Sequence, residues 1–117
     1  LVVFADRDTL LNAASALDLP VRFVPPETTH VSYGEIRLVD VPNRVSAAFG
    51  SPDPRNAAAV IAALDAASDA CLRGEFDGLV TGPTHKATID AGGIAYTGTT
   101  ERLAERAGCY DRCQQFF

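Results

Sequence analysis

Apolar residues fall in short runs that alternate with stretches of helical spacing, and that alternation governs what the chain can fold into. Residues 1–5 (Leu-Val-Val-Phe-Ala) are a continuous apolar run of the kind that fills a buried strand. Asp6 or Asp8 then offers a short carboxylate to the free amides of a first helical turn. Leu10, Leu11, Ala14 and Leu17 recur at helical spacing until Pro20. Residues 21–24 predict a second strand, Pro25-Pro26-Glu27-Thr28-Thr29 a loop, and residues 35–41 a third strand halted by Pro42. After the turn Ser51-Pro52-Asp53-Pro54, Asp53 caps the longest helix, about residues 54–73, with proline acceptable at its first position. The alanine-rich face of that helix, with Ala58, Ile61, Ala62, Leu64 and Cys71, suits close packing on a sheet, and Gly74 stops it. Residues 76–80 (Phe-Asp-Gly-Leu-Val) predict a further strand, residues 85–91 a short helix and residues 101–107 another. Strands alternating with helices predict an α/β layer architecture.

Composition narrows the partners. At 117 residues, 47% hydrophobic and 21% charged, the chain has room for one domain with a modest core. The net charge of −5 is spread without any basic stripe, which argues against a nucleic-acid partner. Residues 57–70 are interrupted by Asp65, Ser68 and Asp69, so no apolar run there can span a bilayer. The opening residues are too short and lack the basic flank of a signal peptide; they predict the first core strand of a chain that began earlier. Cys71, Cys109 and Cys113 lack metal-ligand spacing, although Cys109 and Cys113 could share a helix face, and two distant histidines do not complete a zinc site. They read as reduced thiols, and the compartment as the cytoplasm.

Chemistry concentrates in residues 74–101. That stretch holds Lys86, the single lysine, and His85, one of two histidines. The predicted strand 76–80 runs into Thr81-Gly82-Pro83, the carboxyl-end position where α/β proteins place ligands. Lys86 could meet a phosphate or carboxylate and His85 could donate or titrate near neutrality; equally, both are ordinary solvated residues of a first helical turn. Gly93 to Thr100 has the spacing of a phosphate-binding loop, but Thr99 stands where lysine is required. No G-x-G-x-x-G or G-x-S-x-G motif is present. Gly98-Thr99-Thr100-Glu101 leads into a helix, where either threonine could cap the first turn, and where free amides also favour an anion. Arg102, Glu105 and Arg106 have the spacing of ordinary surface pairs along one helix. Asp65 and Asp69 lie on an expected solvated face, and His30 is expected on the surface.

Gly74-Glu75-Phe76-Asp77, Val80-Thr81-Gly82-Pro83, His85-Lys86 and Thr97-Gly98-x-Thr100-Glu101 together closely resemble the 4-hydroxythreonine-4-phosphate dehydrogenase family (PdxA) of pyridoxal phosphate biosynthesis. Residues 53–71, with Asn56 and Leu64, are similar to the helix before this block, and Leu10-Leu11-x-x-Ala14-x-x-Leu17-x-Leu19-Pro20 to an earlier segment. The resemblance implies NAD-dependent oxidation of a phosphorylated hydroxy-threonine with decarboxylation, assisted by a divalent metal. It also implies a two-domain fold similar to the isocitrate and isopropylmalate dehydrogenases, working as a homodimer. It covers about a third of the family's length.

Several positions depart from the family. Thr99 replaces a substrate-binding histidine, while Thr100 matches. Ala87, Asp90, Ala91 and Gly92 differ from its helix pattern, and Ala95 stands where proline is usual. The metal-binding histidines match no position, the glycine-rich segment before the first strand is missing, and residues 108–117 look unlike the strand expected there, as a truncated or frame-shifted gene would produce. The resulting expectation is an α/β unit over residues 1–107 followed by an atypical tail, 108–117. Thr99 and Thr100 would contact substrate, His85, Lys86, Thr81 and Gly82 would line a cleft, and no metal ligand would come from this chain. NAD is the expected cofactor, with a small phosphorylated substrate and self-association through uncovered edges. The alternatives are a phosphorylated sugar acid (threonate or erythronate phosphate) as substrate, or a catalytically dead remnant, and the isolated chain is expected to be inactive.

Overall fold

The computed structural model describes residues 1–112. Its sheet has three parallel strands, β1 (Val2–Ala5), β2 (Arg22–Val24) and β3 (Glu35–Asp40), in the order β1-β3-β2. The register pairs Val3 with Leu38 and Phe23 with Ile36, and Leu38 and Val24 are the buried residues of the strands. β1 is therefore an edge, and its outer side pairs with no strand among the described residues.

Helix α1 (Arg7–Ala16) follows β1 directly because Asp6 caps it, accepting from the Thr9 amide at 2.7 Å. The same carboxylate accepts from the Asn43 amide at 2.9 Å, tying the start of α1 to the loop after β3. Partial burial works to raise the Asp6 pKa, but hydrogen bonds from the Thr9 hydroxyl and from the Asn43 and Thr9 amides outweigh it and hold the carboxyl below its usual range.

Pro54 opens a short 3₁₀ turn (Pro54–Asn56), capped by Asp53, before α2 (Ala57–Leu72) begins, so the longest helix starts later than the sequence pattern predicts. Asn56 does not cap α2, because its amide group is spent on Val45: it donates to the Val45 carbonyl and accepts from the Val45 amide, each at 2.9 Å. At the far end, Gly74 at φ +78° closes the helix: its amide bonds the Cys71 carbonyl, and the Glu75 amide bonds that of Ala70. Alanines keep α2 close to its neighbours, with Ala57 and Ala70 each 2% exposed. It packs on β1, on α3 (Lys86–Ala91) and on α4 (Thr99–Arg106). The core centres on Ile61, Ile89 and Tyr96, flanked by Leu64 and Ile94, and so lies on the helical side of the sheet.

Residues 76–80 do not form the expected strand. The chain bends through residues 75–77 and then runs irregularly to residue 85, making no ladder with β1. Phe76 reaches β1 only through its ring, which meets Phe4 edge-on at 6.1 Å between centroids. Between β1 and residues 79–84 lies a cavity of about 540 Å³, a separation that the 4.7–4.9 Å spacing of paired strands does not allow. Beyond α4 the chain makes a 3₁₀ turn at Tyr110–Arg112. Most of the expected atypical tail, with Cys113, lies outside the described residues.

Candidate functional site

The two chemically suggestive segments meet at a triangle of hydroxyls. Tyr96 stands between α3 and α4, its ring in the core at 4% exposure. Its phenolic oxygen lies 2.5 Å from Thr99 Oγ1 and 3.1 Å from Thr84 Oγ1, with the two threonine oxygens 3.5 Å apart. One phenolic proton serves only one of these bonds, so Tyr96 donates to one threonine and accepts from the other. The backbone of Tyr96 is held as well, its amide donating to Asp90 Oδ1 at 3.0 Å. A core tyrosine thus pins the end of the 81–84 segment to the first turn of α4.

This arrangement corrects the capping expectation for α4. The helix begins at Thr99 with Gly98 as its N-cap; glycine has no side chain to cap with, and the Thr99 hydroxyl, one residue inside the helix, is engaged by Tyr96. The first helical amides therefore have no side-chain acceptor from the cap residue. The Glu101 carboxylate folds back against Gly98, where a Cβ would collide with it. Thr100 is half-buried in that first turn. Thr81 and Gly82 are exposed on the rim of the large cavity.

His85 and Lys86 are exposed at the start of α3, next to Thr84. His85 caps this helix: Nδ1 accepts from the Thr88 amide at 3.2 Å and lies 2.6 Å from Thr88 Oγ1. That contact commits Nδ1 locally and leaves Nε2 as its outward nitrogen. Lys86 forms no ion pair among the described residues. The structure thus joins Thr99 to Thr84 directly, places Thr100, His85 and Lys86 on the flanking helix starts, and leaves Thr81 and Gly82 on the cavity rim.

Sequence reasoning missed Thr84 and Tyr96. The available signal was a tyrosine just before a Gly-Thr helix start, since a buried tyrosine ring needs a partner for its hydroxyl. The acidic and basic residues of α2 and α4 also behave differently from expectation. They pair across the two helices instead of along one: Arg102 grips Asp65 through Nε at 2.8 Å and a terminal nitrogen at 2.7 Å. Arg106 bonds Asp69 in the same fashion and also reaches Asp65. Hydrogen bonding from Arg106 keeps the Asp69 carboxyl below its usual range.

A family model described as pyridoxal phosphate biosynthetic protein PdxA matches residues 1–117. The chain belongs to the PdxA family. It is 56% identical over 109 residues to a 4-hydroxythreonine-4-phosphate dehydrogenase of Xanthomonas axonopodis pv. citri (strain 306), a match covering 93% of this chain and 34% of that relative. A protein of the same name from Stenotrophomonas maltophilia (strain R551-3) is 55% identical over 108 residues, covering 92% and 33%. Another, from Xylella fastidiosa (strain 9a5c), is 51% identical over 109 residues, covering 93% and 33%. The chain spans about a third of the length of the curated relatives it matches. Among the described residues of this PdxA chain no helix is long and apolar enough to cross a membrane, and no three His, Cys, Asp or Glu side chains cluster to hold a metal ion.

Proposed function

We propose that this chain contributes the substrate-phosphate side of a cytoplasmic, homo-oligomeric 4-hydroxythreonine-4-phosphate dehydrogenase. The whole protein would oxidise the phosphorylated hydroxy-amino acid with NAD on a two-domain scaffold like that of the isocitrate and isopropylmalate dehydrogenases. The observation that carries the reading is the match to relatives of that name combined with the place of its Thr-Gly-x-Thr-Glu motif. That motif forms the uncapped start of α4, held by Tyr96 beside Thr84. Free helical amides and the Thr100 hydroxyl suit a phosphate oxygen, with Lys86 and His85 on the neighbouring helix start. Thr99 belongs to the support of the site, because Tyr96 already holds its hydroxyl.

The described residues do not fit the other groups a dehydrogenase of this kind implies. They bring no three metal-ligating side chains together. The large cavity is walled mainly by apolar side chains, with no lysine or arginine among its described lining residues to meet a dinucleotide's pyrophosphate. No step of the reaction is assigned to these residues through metal or NAD; their role is to bind and orient the phosphorylated end.

The test is a thermal melt of the chain with and without 4-phosphohydroxythreonine. At about a hundredfold over Kd, a ligand of the folded state raises the midpoint by roughly 10 °C. Thr100→Val is expected to abolish most of that rise while melting cooperatively. An unmoved midpoint at high ligand would overturn the phosphate-site reading.

A further inference from the structure

Thr84 is the corner of the hydroxyl triangle that also opens on the large cavity. It is half-buried and lines that space beside Thr81 and Gly82, whereas Tyr96 and Thr99 do not. It also stands between two helix starts. His85, the cap of α3, follows it directly, and its Oγ1 lies 3.5 Å from that of Thr99, the first residue of α4.

The three hydroxyls carry three protons. The two contacts of Tyr96, at 2.5 Å and 3.1 Å, consume two of them. The third side, at 3.5 Å, is too long for a strong O–H···O bond. One threonine therefore keeps a proton without a good acceptor among the described residues. When Thr99 donates to Tyr96 and Tyr96 donates to Thr84, the spare proton falls to Thr84, the corner that borders open space. The reverse order leaves it on Thr99, which borders none of that cavity. An acceptor arriving beside Thr84 selects the first order, because an unmet hydroxyl proton costs free energy and a bonded one does not.

We propose that Thr84 is a further substrate-binding residue, donating its hydroxyl proton to a phosphoryl oxygen, and that Tyr96 is the positioning residue that turns this proton outward. The proposal deepens the phosphate-site reading and rests on it. A phosphoryl oxygen is the acceptor such a donor suits, since it is charged, only accepts, and takes stronger hydrogen bonds than a neutral oxygen. Thr84 fills the position between the α4 amides on one side and Lys86 on the other. The hydroxyls behind it polarise one another in turn, which makes the last one a better donor than an isolated threonine.

The experiment measures binding of 4-phosphohydroxythreonine to the 117-residue chain by isothermal titration calorimetry, well below the melting midpoint. Thr84→Val keeps the shape and removes the donor, and is expected to weaken binding about tenfold or more. Thr84→Ser, which restores the hydroxyl, should bind within about threefold of the wild type. Tyr96→Phe should weaken binding about threefold in the wild type and no further in the Thr84→Val background, because it acts through Thr84. If Thr84→Val melts without cooperativity, Thr84→Ala serves in its place. A wild type that binds, with Thr84→Val binding within about twofold of it, overturns this proposal and leaves the phosphate-site reading standing. A wild type that does not bind overturns both. Equal weakening by Tyr96→Phe in the two backgrounds would reduce Tyr96 to a structural support and overturn its positioning role.

Discussion

The phenolic oxygen of Tyr96 sits 2.5 Å from Thr99 Oγ1, so one short hydrogen bond fastens the first residue of α4 to the hydrophobic core. Replacing Tyr96 by phenylalanine keeps the ring and deletes the bond. The expected cost is about 1 kcal/mol, which for a domain of this size lowers the melting midpoint by roughly 4–8 °C. Tyr96→Phe, Thr99→Val and the double variant form a cycle, and a coupling energy near zero by urea titration would show that the bond contributes nothing.

Arg102 and Asp65 are joined across α2 and α4 by two parallel bonds, with side chains 26% and 19% exposed. Solvent screening limits such a pair to about 1 kcal/mol or less. Arg102→Lys is expected to lose most of that, because a single ammonium cannot reproduce the forked contact. Comparing urea midpoints of the wild type and Arg102→Lys at low and at about 1 M salt checks it: the gap should shrink with salt. A gap independent of salt would point to packing instead.

Gly92 lies where a Cβ would strike the Ala57 methyl and come within 2.6 Å of the Pro54 carbonyl oxygen. Gly92→Ala should therefore destabilise the chain by about 1–3 kcal/mol through forced separation of α3 from the start of α2. Circular dichroism melts would read this directly. A neutral variant would mean that the 54–57 turn yields without cost.

Asp53 is held down to about 2 from an ordinary 3.8, first by the Arg55 side chain and then by the Arg55 amide. Asp69 and Glu75 are lowered too, mainly by side-chain bonds from Arg106 and Arg73. A carboxylate depressed in the folded state adds stability that is complete above its unfolded pKa and disappears as pH falls through the folded one. Stability should be level above about pH 5 and decline from there toward pH 2. Arg55→Ala should flatten the most acidic part of that decline, as followed by urea midpoints across the pH series.

The sequence foretold the fold where local rules decide. Asp6 caps α1, Gly74 ends α2, and residues 35–41 supply β3, because each rests on chemistry within a few residues. It failed at residues 76–80, where apolar composition is necessary for a strand but a neighbouring edge at hydrogen-bonding distance is also required. It failed likewise for Arg102 and Arg106. Their partners on α2 lie 37 positions away, beyond any helical spacing argument. Within the site, the capping argument left Thr99 and Thr100 interchangeable, and only the resemblance told them apart. The position of Tyr96, packed with Ile61 and Ile89, engages the hydroxyl of Thr99 through a contact that no local sequence rule announces.

Helix α2 serves two masters. Ala59, Ala63 and Ala67 face the β1 cavity, while Ala57 and Ile61 meet Gly92 and the Tyr96 cluster. Evolutionary drift along this helix is thereby constrained twice. A larger residue accepted on one side tilts the shared axis and displaces the other, so sheet contacts and the hydroxyl triangle must change together or not at all.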